Sequence, residues 1–205
     1  MQPIRPFLAL VAACALLVLG VAAAWNWLIP RPIPEQGGLF FPLAIELDVP
    51  LHRQADPVWA ADLLGPTTGT LGAEGCAVAC ASMVLAFHGA DVDPGQLNQF
   101  VHDNEGYTPQ GWIYWEAAAE YPPARLEKAY EHWPSYAMLD LNLLQGQPSI
   151  VRIRFPSGIT HFVVVMGKQG FDYLIRDPLA EPGSDPESLA KYAGPIEALR
   201  FYREK

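Results

Sequence analysis

Two of the three cysteines in this chain, Cys76 and Cys80, lie four residues apart in the stretch TLGAEGCAVACASMVLAFHG. A thiol acts as a nucleophile when its surroundings favour the thiolate, a base lies within reach, and donors await the oxyanion formed on attack. Cys76 follows Gly75 at a predicted helix start, where unpaired N–H groups and the helix dipole favour a thiolate. Cys76 is therefore a candidate nucleophile, although free cysteines are more often buried and inert.

Cys80 lies one helical turn further on, where it lines up with Met83, Val84 and Phe87. This spacing predicts a face that packs in the core. A disulfide between the two thiols is not expected, because helical neighbours hold their Cβ atoms about 5–6 Å apart and a bridge needs about 3.8 Å. We therefore expect two free thiols, of which Cys80 is a packing residue.

The base that would serve Cys76 must be one of five histidines. His88 ends the helix that Cys76 begins, about 18 Å away at 1.5 Å per residue. His161 opens the run HFVVVMG, which is apolar enough to be a central strand, so its ring is expected at the exposed end of a buried element. His161 is the favoured base, and a merely solvated strand-end histidine is the alternative. The full set is His52, His88, His102, His132 and His161.

A carboxylate partner for His161 follows from the geometry of a predicted hairpin. The runs HFVVVM and FDYLIRD flank GKQG, a glycine-bounded turn that would join them as antiparallel strands. Pairing across this turn brings His161 opposite Arg176 or Asp177. Asp177 lies on the same face of the sheet as His161 only if the number of residues in the loop is odd. Asp177 could then orient the imidazole, or it could simply open a turn as part of an Asp-Pro pair.

The elements around these residues predict an α+β fold. Helical segments are expected from Cys76 to His88, after the Asp93-Pro94 start signal, and in GWIYWEAAAEY. They are followed by four strand-like runs: SIVRIRF, THFVVVMG, FDYLIRD and IEALRFY. Helices first and strands second indicate helices packed on a C-terminal antiparallel sheet. An earlier strand is expected in PLAIELDVP.

The N-terminal segment is expected to stand apart from this domain. Residues 1–28 form an apolar stretch predicted to be a transmembrane anchor, with a signal segment cleaved after the Ala22–Ala24 run as the alternative. Residues 29–42 are rich in Pro and Gly and predict a linker, so that the domain covers residues 43–205. The domain is then expected outside the cytoplasm, anchored or secreted.

Composition excludes several classes of function. A formal net charge of -9 with no basic run argues against nucleic acid as a partner. Three cysteines cannot build a disulfide scaffold. The sequence has no phosphate-binding loop and no His-Glu-x-x-His motif, so no metal or organic cofactor is expected.

Five segments in this order carry a resemblance to a known family: DVPLHRQADPVWA, EGCAVACASMVLAFHG, LLQGQPSIVRIRF, HFVVVMG and IRDP. They resemble the papain-like cysteine peptidase domain of the double-glycine leader (bacteriocin-processing) peptidase family. The similarity is greater to its stand-alone relatives without transporter domains, and it covers roughly residues 45–180. It implies a papain-like fold and a peptide or protein substrate.

The resemblance also implies a set of site residues: Cys76, His161, Asp177 and Gln54. Gln54 has no local signal of its own, and its role as an oxyanion donor beside the Cys76 amide comes from the resemblance alone. The expected protein is thus a cysteine peptidase-like thiol hydrolase. A peptide-binding or partner-binding domain without turnover is an alternative, since Glu74 would place a negative charge near the thiol and blunt its reactivity. A further alternative function is that of an amidase or acyltransferase that acts on a small acceptor.

Overall fold

The computed structural model describes residues 4–123 and 126–205 of the chain. Its helices are α1 (Ile4–Leu28), α2 (Leu71–Glu74), α3 (Cys76–Phe87), α4 (Pro94–Asp103), α5 (Trp115–Ala119) and α6 (Tyr136–Leu144). Its strands are β1 (Gln36–Glu46), β2 (Leu126–His132), β3 (Ser149–Arg154), β4 (Thr160–Arg176), β5 (Glu187–Ser188) and β6 (Ile196–Glu204). A 3₁₀-helix, Leu189–Tyr192, joins β5 to β6.

The six strands form one sheet, and its antiparallel character agrees with the prediction. Strands β2 and β5 were not predicted, and the runs THFVVVMG and FDYLIRD, predicted as two strands, both belong to β4. Strands follow the order β1-β4-β3-β6-β2, and the short β5 pairs with β4. The central position of β4 agrees with its apolar sequence, because a strand covered on both faces reads as a nearly continuous hydrophobic run. The α+β class with an antiparallel sheet is therefore confirmed.

Hydrophobic clusters cover both faces of this sheet. On one face, Met83 and Val84 of α3 pack with Ile150 and Val164 of the central strands. On the other face, Leu139 of α6 belongs to a second buried cluster, together with the strand residues Val151, Val163 and Val165. Successive residues of a strand point to opposite faces, which explains why neighbours such as Val163 and Val164 belong to different clusters. Helix α3 is thereby fixed against the strand that carries His161.

Helix α1 corresponds to the predicted anchor, of which residues 1–3 lie outside the described residues. Within the described residues, no helix combines the length and the apolar character that crossing a membrane requires. The structure thus gives no support to the expected transmembrane segment. Cleavage of the segment and the location of the domain remain predictions.

The stretch at residues 29–42, predicted to be a Pro/Gly linker, makes ordered contacts with the domain. Ile33 is buried and pairs with Ile196, and β1 begins within this stretch at Gln36. The Tyr136 hydroxyl donates to the Gln36 carbonyl at 2.7 Å, and Gly37 takes a positive φ of 140° beside that ring. A buried isoleucine and an aromatic contact therefore hold this stretch against the domain.

A buried ion pair fastens this segment to the domain. Lys168 Nζ lies 2.5 Å from Asp140 Oδ1, and both side chains are fully buried. Lys168 also donates to the Gly37 carbonyl at 2.7 Å, and Asp140 Oδ2 accepts from the Trp27 indole and the Leu39 amide. The Asp140 carboxylate of α6 thus binds groups from α1, β1 and β4.

Candidate functional site

Cys76 lies at the first residue of α3, as predicted, but the loop expected before it contains a helix. Helix α2 ends at Glu74, and Gly75 alone separates it from α3. A Cβ atom on Gly75 would come 2.4 Å from the Leu71 carbonyl oxygen, so only glycine fits between the two helices. Because the first turn of a helix leaves N–H groups unpaired, Cys76 lies where an anion is stabilised.

The two thiols of α3 differ in environment. Cys76 is partly exposed, whereas Cys80 is completely buried in the core cluster between α3 and the sheet. Burial, together with the nearby Cys76 and Asp177, raises the pKa of Cys80 well above its ordinary value. The prediction that Cys80 is a packing residue is confirmed, and Cys76 is the accessible thiol of this helix.

His161 lies near the start of β4 with its ring almost completely buried, at 3% exposure. Nε2 lies 2.8 Å from Asp177 Oδ1, and the Phe155 ring stacks on the imidazole with centroids 5.3 Å apart. Burial by itself lowers the pKa of His161. Hydrogen bonds and charge interactions with Asp177 and Cys76 outweigh burial and raise the pKa to about 9. The structure therefore pairs the imidazole with the Asp177 carboxylate, and the Cys76 thiol is near enough to affect the His161 pKa.

Asp177 is buried and fully surrounded by donors. Its Oδ1 accepts from the Leu179 amide at 2.9 Å as well as contacting His161. Its Oδ2 accepts from the Tyr192 hydroxyl and lies 3.1 Å from Lys191 Nζ. Burial alone would raise the pKa of Asp177, but the hydrogen bond and charge of His161, with the Leu179 amide and Lys191, hold it below its ordinary value. Asp177 is thus an anion at neutral pH.

The shape of β4 brings His161 and Asp177 together. They are sixteen residues apart, which in a straight strand would be about 50 Å. A hydrogen bond between their side chains requires the chain to double back, and Gly170 in the intervening GKQG stretch has a φ of +60°. The structure therefore contains the reversal that the sequence predicted, with Asp177 rather than Arg176 on the His161 side.

Gln54 lies in the loop before α2 and is also buried, at 3% exposure. Its Nε2 donates to the Gly72 carbonyl at 3.0 Å, and its backbone amide donates to the Pro178 carbonyl at 3.0 Å. A primary amide has two N–H donors, so one remains after the bond to Gly72. Within the described residues its Oε1 has no hydrogen-bond partner. These two bonds fix Gln54 between the helix that precedes Cys76 and the residue that follows Asp177.

Two arginine contacts tie the Gln54 loop to the end of β4. Arg176 Nε donates to the Val49 carbonyl at 3.1 Å, and Arg53 Nε donates to the Ala180 carbonyl at 3.0 Å. Sequence reasoning did not identify these contacts, because a guanidinium bound to a distant carbonyl has no local pattern. They join the loop of Gln54 to the segment of Asp177.

His52 serves a different contact from His161. Its Nδ1 lies 2.8 Å from Ser82 Oγ, which itself donates to the Ala79 carbonyl. The serine oxygen is therefore an acceptor for the ring, and His52 fastens the Gln54 loop to α3. Burial lowers the pKa of His52, although Asp93 partly offsets this. A neutral His52 is consistent with a structural contact.

Glu74, which the sequence placed near the thiol, is exposed at the end of α2. Its carboxylate lies against Gly69, where an added Cβ would be 2.9 Å from Oε2. The groups that act on the His161 pKa are Asp177 and Cys76, and Glu74 is not one of them. Within the described residues, no three His, Cys, Asp or Glu side chains are grouped as metal ligands would be.

Three residues beside the imidazole and its carboxylate were not found from the sequence. Phe155 stacks on His161, and Lys191 and Tyr192 contact Asp177. Lys191 and Tyr192 belong to the 3₁₀-helix Leu189–Tyr192, in a region where the sequence has no periodic pattern. Only the distribution of charged and aromatic residues near the C-terminal strand could have drawn attention to them.

A partly exposed thiol at a helix start, an imidazole on a central antiparallel strand and a buried carboxylate beside it define a cysteine-peptidase-like class of protein. Comparison with known families agrees with this class. The model of the Peptidase_C39-like family matches residues 46–196, and the chain belongs to this family. The predicted resemblance is thereby confirmed at the level of the C39-like family, while its narrower double-glycine branch remains a prediction.

Solved structures add evidence for the fold. A crystal structure described as that of a C39-like peptidase from Bacillus anthracis aligns with a TM-score of 0.50 and 18% sequence identity. The alignment covers 80% of this chain and 100% of that chain. No curated protein matches the chain. The similarity in structure shows that the two chains share a fold.

Proposed function

We propose that this protein is a cysteine peptidase in which Cys76 is the nucleophile, His161 the base and Asp177 the residue that orients the imidazole. The observation that carries the proposal is the 2.8 Å contact of His161 Nε2 with the Asp177 carboxylate, at a site where Cys76 also contributes to the His161 pKa. His161 uses Nε2 for Asp177, which leaves Nδ1 for the thiol. A raised His161 pKa, of about 9, favours an imidazolium beside a thiolate.

The reaction would proceed in two steps. The Cys76 thiolate attacks the amide carbonyl, and the carbonyl oxygen becomes an oxyanion. The imidazolium of His161 then gives its proton to the departing amine as the C–N bond breaks, which leaves a thioester on Cys76. In the second step His161 takes a proton from water, the hydroxide attacks the thioester, and the thiolate leaves. The products are an amine and a carboxylic acid.

Gln54 is proposed to bind the oxyanion. Its position between α2 and the segment after Asp177, fixed by Gly72 and Pro178, supports this role. The amide N–H that is not bonded to Gly72 is the donor, and the Cys76 backbone amide is the second donor. A preorganised donor stabilises the transition state because it costs no reorganisation when the charge develops.

The substrate class follows from the family. Membership of the C39-like family supports a peptide or protein substrate. The motifs around Cys76, His161 and Asp177 support the narrower proposal of a stand-alone relative of the double-glycine leader peptidases. Such an enzyme would cut after a pair of glycines.

Labelling of the thiols tests the proposed chemistry directly. Iodoacetamide should alkylate Cys76 much faster than Cys80 near neutral pH, as read by peptide mapping of the full chain. His161→Ala should slow the labelling of Cys76, while His102→Ala, at an exposed histidine of α4, should not. Equal and slow labelling of Cys76 and Cys80 would contradict the proposal.

A cleavage assay distinguishes a peptidase from an acyltransferase and from a binding domain. A peptide with Gly-Gly before the scissile bond should be cleaved by the native chain and not by Cys76→Ala, and a matched peptide with Val-Val should be a poor substrate. Products are identified by mass spectrometry. A free acid supports hydrolysis, an adduct with an added amine would indicate an acyltransferase, and peptide binding that survives Cys76→Ala without any cleavage would indicate a binding domain.

A further inference from the structure

The two carboxylate oxygens of Asp177, Oδ1 and Oδ2, each bind a different pair of donors. Oδ1 faces His161 Nε2 at 2.8 Å and the Leu179 amide at 2.9 Å. Oδ2 accepts from the Tyr192 hydroxyl and lies 3.1 Å from Lys191 Nζ. Both donors on Oδ2 therefore come from consecutive residues of one 3₁₀-turn, and a cation is one of them.

The turn that presents these donors is held in place from several sides. Ser188 caps the 3₁₀-helix by accepting from the Ala190 amide, and the preceding residues of β5 pair with β4. The Tyr192 ring packs on both His161 and Phe155, with centroids 6.0 Å and 5.3 Å away. Lys191 pairs with Glu187 on its other side. A turn fixed in this way presents its hydroxyl and ammonium groups in one geometry.

Lys191 is a cation whose charge reaches the reacting residues through one carboxylate. Burial lowers the pKa of Lys191, but Glu187 and Asp177 outweigh burial and raise it, so the side chain is charged at neutral pH. Its side chain is 33% exposed, so its contribution to folding is small and a substitution is tolerated. The carboxylate that it contacts is 1% exposed, and a charge acts more strongly on such a group.

We propose that Lys191 and Tyr192 are positioning residues for the His161–Asp177 pair. Both residues bind Oδ2 of Asp177, which leaves Oδ1 oriented toward the imidazole. The positive charge of Lys191 also weakens the stabilisation of the imidazolium by the carboxylate. This inference rests on the proposed function, because it concerns the same site. It adds to that function two residues whose polar groups contact Asp177 and act on the imidazole through it.

The direction of the effect follows from the charges that face the ring. His161 is faced by Cys76 from α3, by Asp177 from the end of β4 and by Tyr192 from the 3₁₀-helix, and Lys191 and its partner Glu187 act behind Asp177. Asp177 favours the imidazolium, and the positive charge of Lys191 opposes it by partly neutralising Asp177. Removing that positive charge should therefore raise the pKa of His161.

Substitutions at Lys191 test the proposal in the full chain. Lys191→Met removes the charge and keeps most of the packing, and Lys191→Arg is the matched control that keeps the charge. The titration of His161 is followed by NMR of its ring C–H group. Lys191→Met should raise the His161 pKa by about half a pH unit to one unit, and the alkaline limb of kcat/KM should move up equally. Lys191→Arg should leave both unchanged.

Tyr192→Phe provides an independent variant. It removes the hydroxyl and keeps the ring that packs on His161 and Phe155. We expect kcat to fall by about threefold to tenfold with KM unchanged, because Asp177 loses one neutral donor. A purely structural role for Tyr192 would instead lower the melting temperature and leave kcat per folded molecule unchanged.

Two results would overturn the inference. One is an unchanged His161 pKa in Lys191→Met, and the other is an equal shift in Lys191→Met and Lys191→Arg, which would trace the effect to packing. Failure of the proposed function is a separate result, since it appears in the native chain as slow Cys76 labelling and no cleavage. The NMR titration of His161 can be read in either case.

Discussion

Nε2 of His161 lies 2.8 Å from Oδ1 of Asp177, although the two residues are sixteen positions apart and all the residues between them belong to β4. The reversal within β4 creates this contact, and Asp177 together with Cys76 raises the His161 pKa to about 9 against the effect of burial. A conformational feature of the backbone thus determines the charge of a side chain.

Asp177→Asn should lower the His161 pKa toward its ordinary value and reduce kcat by about 10³-fold to 10⁴-fold. An amide of the same shape keeps the packing but removes the negative charge that stabilises the imidazolium. The measurements are the NMR titration of His161 and steady-state cleavage of a peptide substrate. Asp172→Asn on the same strand is the control, and an Asp177→Asn enzyme with native kcat would exclude Asp177 from the mechanism.

Local features of the chain predicted much of this site. Gly75 indicated the start of α3, and the GKQG stretch indicated the reversal. The apolar run after His161 predicted a strand in the interior of the sheet. Each of these signals acts over a few residues, which is the range in which backbone conformation and hydrophobic period are encoded. Cys80 was recognised as a core residue for the same reason.

Contacts between distant segments were not predictable in this way. The choice of Asp177 over Arg176 depended on the register of the reversal, and register is decided by how the whole strand packs. Lys191 contacts Asp177 from a separate turn, and no local pattern marks such a residue. Helix α2 was missed because four residues, one of them a glycine, are too few to show a helical period.

Folding stability should depend on pH through His161. A folded-state pKa of about 9 lies above the ordinary 6.5, so the stabilisation is fully present below pH 6.5 and disappears as pH rises through 9. For this buried group the loss is on the order of 3 kcal/mol. Urea unfolding between pH 6 and pH 10 measures it. His161→Gln should show a flatter dependence over this range, and identical curves for the two proteins would contradict the assignment.

Gln54→Ala should lower kcat by about 10²-fold to 10³-fold with little change in KM, because an oxyanion donor acts only in the transition state. The measurement is steady-state cleavage of a peptide substrate. Gln99→Ala, at an exposed glutamine of α4, is the matched control. A rise in KM with unchanged kcat would instead assign Gln54 to ground-state binding.

Gly75→Ala should disturb both the fold and the thiol. A Cβ there would lie 2.4 Å from the Leu71 carbonyl and 2.6 Å from Leu71 Cδ2, so α3 must shift at the residue that carries the nucleophile. We expect a loss of about 1–3 kcal/mol in the free energy of unfolding, together with slower alkylation of Cys76. Gly20→Ala in α1, where nothing lies within 4 Å, controls for the substitution itself. A stable Gly75→Ala protein with native alkylation would mean that α2 and α3 can separate freely.

The Lys168–Asp140 pair is expected to matter for stability through its burial. Asp140→Ala leaves the Lys168 ammonium without its anion in a fully buried position and removes the acceptor of the Trp27 indole and the Leu39 amide. The expected cost is about 3–5 kcal/mol, measured by urea unfolding. Replacing both partners together, as Asp140→Leu with Lys168→Met, should cost less than Asp140→Ala alone, because no uncompensated charge stays buried. A double variant less stable than the single one would show that the pair itself, and not the avoidance of a lone charge, holds β1 and α1 to the domain.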